Sequence, residues 1–338
     1  MKRLLPFAPL LLLAALLLSP AAALGGAREG LHIWWDRVFP ALLPSMLCIR
    51  LAQGLGLLKA AARHPRGQLL AVVGFSLVSG APNGAKLLQA LKQEGGLSGR
   101  DMDGLLPVIN SVSPAFLLSI IASEPLKNKA LFLPMGLAFY GCILCLILPL
   151  LLHRKTASLS RQGKITALPF PKALSSAIEG SMLDMLRIGG SIVFVCTLLS
   201  VARPLAPSEY GRAALAGLLE VSTGTATVAE LSMPLRLKVS LLVGISAFGG
   251  LSLMLQTLCC CPELRPGPYL AKKLLLGVLA GLCCYALFPR FPSLAPAFAA
   301  RQEVLSRTLA LSALALSSAL SMAFIFVLSL MMNSRKKG

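Results

Sequence analysis

The sequence predicts an all-α polytopic membrane protein, an inverted repeat of about eight transmembrane helices and two re-entrant hairpins. Three observations carry this. First, 56% of the 338 residues are hydrophobic and 13% are charged. Mean hydropathy is +0.78, more apolar surface than a soluble domain can bury. Second, the apolar residues fall into runs of spanning length separated by basic loops. Third, two of the long runs are interrupted by Gly, Pro, Ser, Thr and Asn, residues that lipid-facing helix does not tolerate without polar company.

In chain order, Met1-Lys2-Arg3 leads into an apolar run, 4–24, whose length favours a retained span over a cleaved signal. Further spans are expected over 38–58, 105–122, 130–152, 181–201, 239–258, 269–288 and 308–332. The interrupted runs 68–91 and 211–231 are read as hairpins that enter and leave on one side. With hairpins at both places, the larger share of the 32 Lys and Arg, including those of the central basic loop, falls on the cytoplasmic side. If both were full spans, that loop would invert. The expected organisation is an N-terminal span and outer loop (1–37), a first repeat (38–152), a basic cytoplasmic loop (153–180), a second, inverted repeat (181–290) and a C-terminal span with a basic tail (291–338). Both termini are expected in the cytoplasm.

Four polar interruptions are the candidate site, because broken elements of two inverted halves meet near the bilayer midplane. Ser79, Gly80, Pro82, Asn83, Gly84 and Lys86 form the first. Asn110, Ser111 and Ser113 form the second, where Pro114 frees a backbone carbonyl one turn earlier that a substrate, ion or neighbouring helix must satisfy. Glu220, Ser222 and Thr223 form the third, and Gly249, Gly250, Ser252 and Gln256 the fourth. Ser and Thr in membrane helices commonly bond their own backbone, and paired glycines commonly mark close packing. Four such stretches in corresponding positions of two halves argue for a shared centre. Lys86 either pairs with Glu220 across the repeat interface or extends to the cytoplasmic face. Asp184 and Arg187, three apart, are read as an interfacial pair, and Arg50 either packs against a polar neighbour or marks a pathway.

The motifs Ser79-Gly80-x-Pro82-x-Gly84-Ala85-Lys86, Asn110 to Phe116, Leu219-Glu220-Val221-x-x-Gly224 and Phe248-Gly249-Gly250-Leu251-Ser252 with Gln256 resemble the YlbJ-type sporulation integral membrane proteins. These belong to the nucleoside-recognition (Gate) domain families. The resemblance covers about residues 38–288 and departs at Ala81, Ser113 and Met254, where the family pattern tends to carry Tyr, Gly and His. It implies a nucleoside-transporter-like core in a protein of the bacterial cytoplasmic membrane of endospore formers. The function it implies is sporulation-associated movement or sensing of a small polar solute such as a nucleoside. A non-transporting structural or assembly protein of the spore membrane is the alternative.

No enzymatic activity, cofactor or metal is expected. Nine cysteines, Cys259-Cys260-Cys261 among them, read as small apolar packing residues, and His32, His64 and His153 make no ligand cluster. The net charge of +19 comes from dispersed residues without interleaved aromatics, which excludes a nucleic-acid partner. Membrane lipids are the expected surroundings. A small polar solute, a coupling ion and a second copy of the chain are the open candidates for partners.

Overall fold

The computed structural model describes residues 7–56, 65–93, 96–118, 131–152 and 167–291. The expected C-terminal span 308–332 and tail, the basic loop over 153–166, the end of the third span (119–122), His64 and His153 lie outside the described residues. Among the described residues no strand occurs. The helices are α1 (Ala8–Leu18), α2 (Pro20–His32), α3 (Phe39–Gly54), α4 (Pro65–Ser79), α5 (Asn83–Gln93), α6 (Gly99–Ile109), α7 (Phe132–Leu152), α8 (Phe170–Val201), α9 (Glu209–Leu219), α10 (Val221–Glu230), α11 (Leu235–Phe248), α12 (Gly250–Cys260) and α13 (Pro266–Leu287).

Among the described residues, four stretches are long and apolar enough to cross a membrane: Phe132–Leu152, Phe170–Val201, Leu235–Cys260 and Pro266–Arg290. Helix α7 shows why they need lipid. Met135, Phe139, Ile143 and Ile147 recur every fourth residue and are buried, as in any packed helix. The opposite face carries exposed Leu133, Leu137, Leu144 and Leu148 where a soluble helix would be polar. Helix α13 likewise exposes Leu274, Leu275, Val278 and Leu282.

In lipid, apolar transfer does not drive helices together, so close backbone approach through small residues does much of the work. Helix α2 lies along α8 in this way. A Cβ at Gly26 would stand 2.6 Å from the Cys196 carbonyl oxygen, and one at Gly30 2.6 Å from the Val193 Cα. Helices α11 and α13 pack through Gly244 and Gly277, where a Cβ on Gly277 would stand 2.8 Å from the Gly244 carbonyl oxygen.

Three expectations are corrected here. The run 4–24 is not one helix, because the chain breaks at Ser19 (φ −132°, ψ 57°) before Pro20, which has no N–H to continue the ladder. The expected outer loop after it is helical instead: α2 runs through the π-helical stretch Ile33–Val38 into α3. Packing along α8 overrides the modest helix preference of that Gly-containing stretch. Helix α8 also begins at Phe170, inside the expected basic loop, with Pro at its first turn.

The interrupted runs fold as helix pairs. Helices α4 and α5 pack on each other across a short turn, as do α9 and α10. Helix α6 stops at Ile109 and the chain resumes as the helical turn Pro114–Phe116, while α11 and α12 are separated at Gly249, whose φ of +84° only glycine adopts readily. Polar contacts group the ends of these elements. At one end the Lys92 ammonium pairs with Glu263, and Lys272 Nζ donates to the Asp103 carbonyl at 2.7 Å. At the other, Tyr210 Oη donates to the Ser232 carbonyl at 3.1 Å. There, Arg236 Nε also donates to the Tyr285 carbonyl at 2.8 Å and its guanidinium covers the Tyr285 ring. The pair α4–α5 therefore has its open end beside Glu263, and the pair α9–α10 has its open end near the start of α11.

Candidate functional site

The turn between α4 and α5 is built to approach the break after α6. Gly80 has φ +70° and lies so near that break that a Cβ would stand 2.7 Å from the Ser113 nitrogen. The Ala81 N–H donates to the Ser111 carbonyl at 2.9 Å, so one broken element supplies the hydrogen bond another lacks. Ser113 caps the helical turn after the break, its Oγ accepting from the Phe116 N–H at 3.2 Å. In the other half, Glu220 stands in extended conformation between α9 and α10. Its Oε2 accepts from the Thr223 N–H at 2.7 Å and from Thr223 Oγ1 at 3.1 Å. A carboxylate at a helix N-terminus satisfies free donors and meets the positive end of the dipole. Gly250 lets α12 cross this cap, since a Cβ there would stand 3.0 Å from the Glu220 Cα.

These breaks line a cavity of about 40 Å³ formed by Ser79, Ala81, Ser113, Glu220, Ser222, Ser252 and Gln256, with apolar walls that include Val38, Phe116 and Ile188. It has room for about three water molecules, far below the several hundred Å³ of a ligand pocket. Gln256 Nε2 donates to Ser191 Oγ at 2.8 Å, tying the cavity wall to α8. All four polar interruptions thus contribute a lining residue.

The remaining sequence-expected residues lie outside the lining. Gly80 and Gly84 serve backbone approach, Gly84 resting against Ser76 and the Ile109 carbonyl. Pro82 is buried in the turn beside Asn83, whose Nδ2 is buried without a partner. Thr223 faces the Glu220 carboxylate and Cys196 Sγ, and Gly249 and Gly250 form the α11–α12 break. Asn110 sits one layer away, its Nδ2 donating to Thr257 Oγ1 at 2.7 Å and to Tyr269 Oη at 3.3 Å. Ser111 Oγ donates to the Val108 carbonyl.

The Lys86–Glu220 pairing is corrected. Lys86 pairs with Asp184, and so does Arg50, while Arg187 Nη1 stands 3.4 Å from the same carboxylate. Asp184 is 1% exposed, so a nearly dry carboxylate holds three cations that are themselves partly wet. The Asp184–Arg187 pair read from sequence is present as the weakest of the three contacts. The physical reason for the exchange is that Glu220 already has its donors in the α10 N-terminus, whereas Asp184, inside α8, has no free backbone N–H to accept from.

Lys273 is not among the residues that the sequence singles out. It is 2% exposed within α13, and its Nζ donates to the Asn110 carbonyl at 3.1 Å and to Ser111 Oγ at 3.2 Å. The signal was available in part: Pro114 leaves the Asn110 carbonyl without its helical donor, and something had to supply one.

Helices with apolar outer faces around a polar, broken-helix centre define a multi-pass integral membrane protein. The chain is 26% identical over 324 residues to the "Sporulation integral membrane protein YlbJ" of Bacillus subtilis (strain 168), an overlap covering 81% of this chain and 79% of that one. This similarity supports the YlbJ-type assignment read from the four motifs. No family model matches the chain. No solved structure matches it either.

Proposed function

We propose that the chain moves or senses a small polar solute at the centre where the two halves' broken helices meet, as a sporulation-associated, non-enzymatic membrane protein. In this reading the pairs α4–α5 and α9–α10 are re-entrant hairpins entering from opposite sides, α6 and α11–α12 belong to interrupted spans, and the whole forms an inverted repeat of about eight spans. The observation that carries it is the cavity itself, with Glu220 and hydroxyls from all four interruptions around one space. Glu220 is the charged residue in the lining, which suits a solute rich in hydrogen-bond donors. The sporulation setting rests on the name of the Bacillus subtilis relative.

The small cavity requires that the hairpin tips part before a solute enters. It also favours a second reading, in which the polar stretches lock helices together in a non-transporting assembly protein of the spore membrane. Many of the hydroxyls are already satisfied locally, Thr225 by the Val221 carbonyl and Ser76 by the Val72 carbonyl. Saturable uptake or binding of candidate solutes in proteoliposomes separates the two readings. The expected result is a saturable signal that Glu220→Gln reduces at least about tenfold, equivalent to about 1.4 kcal/mol, while the protein stays folded. A folded native preparation with no saturable signal for any solute favours the assembly role.

A further inference from the structure

An ammonium at bilayer depth is costly unless charge or dipoles compensate it. Lys273 is in no ion pair among the described residues, yet its side chain is fully packed. What faces it is the C-terminal end of α6. Asn110 follows the last residue of that helix, and its carbonyl is the one whose helical donor would be residue 114, a proline. The end of α6 also carries the negative pole of its dipole. The neighbouring Ser111 carbonyl is taken by Ala81, so the Asn110 carbonyl and Ser111 Oγ remain for the ammonium. The Asn110 side-chain oxygen is buried beside them without a partner.

Backbone carbonyls and hydroxyls at the C-terminal end of a broken helix are the groups with which membrane carriers hold a free monovalent cation. We propose that Lys273 is a tethered cation, its ammonium filling at the end of α6 the place of a bound sodium or potassium ion. The positive charge that the break requires is thereby covalent. The centre needs no metal ion at this position, and removing the side chain creates a vacancy for a monovalent cation or a small primary ammonium. This is independent of the solute reading, because it is tested through stability.

The test uses the purified full chain in lipid nanodiscs, with thermal unfolding followed in sodium, potassium or N-methyl-D-glucamine chloride at equal ionic strength. The native midpoint is expected to be the same in all three salts. Lys273→Ala is expected to lower the midpoint by about 5 °C or more in N-methyl-D-glucamine, with sodium, potassium or ethylammonium restoring a substantial part. Lys273→Met is expected to fall as far without recovery, since its chain fills the vacancy. Selective stabilisation of the native chain by sodium overturns the proposal. So does a Lys273→Ala protein as stable as the native one, or one that no cation restores. If Lys273→Ala does not fold, Lys273→Arg and Lys273→Gln make the same comparison: survival of the Arg form alone supports the tethered charge, and equal behaviour of the two overturns it.

Discussion

Asp184 and Glu220 are both buried carboxylates, and their different surroundings separate their roles. Glu220 has backbone and hydroxyl donors from one helix N-terminus and keeps its place on the cavity wall. Asp184 has only side-chain cations, from α3, α5 and its own α8. It therefore holds the first helix pair to the long helix behind it. Asp184→Asn leaves Arg50 and Lys86 facing each other with no counter-charge and is expected to cost about 3 kcal/mol in denaturant unfolding of the solubilised protein. Arg187 is mostly exposed and makes the longest of the three contacts, so Arg187→Gln is expected to change stability by less than about 1 kcal/mol. Equal losses from the two variants would mean that the cluster does not hold the fold in this way.

Among elements, the α2–α8 contact shows how composition misleads. Helix α2 contains three glycines, Gly25, Gly26 and Gly30, and charged Arg28 and Glu29, and a hydropathy reading ends the span before them. Gly26 and Gly30, four apart, instead form a flat face on which α8 lies at backbone distance. Gly30→Leu is expected to force the helices apart and cost about 2 kcal/mol. Gly25→Leu, at a position where a Cβ would meet nothing within 4 Å, is expected to be neutral by the same thermal-unfolding assay.

For the whole molecule, the grouped ends carry a topological consequence. Glu263 and Tyr210 are both exposed and belong to opposite groups of contacts. In the inverted-repeat reading, Glu263→Cys reacts with a membrane-impermeant maleimide only from the cytoplasmic side and Tyr210→Cys only from the outer side. These variants are made in a chain whose nine native cysteines are replaced. Labelling of both from one side would remove the opposed-hairpin arrangement and leave a simpler bundle.

The membrane class, the four long spans and the positions of all four breaks were legible along the chain, because hydropathy and the conformational demands of Gly and Pro are local properties. The need for a donor to the carbonyl that Pro114 frees was also local. Which group meets it was not, since Lys273 lies in α13, far along the chain from Asn110. In the same way, sequence presents Lys86 with several acids in the second half, Asp184 and Glu220 among them. Only the tertiary structure decides between them: Glu220 is satisfied within its own helix terminus, and Asp184, in mid-helix with no free backbone N–H, takes Arg50 and Lys86 brought in from other elements.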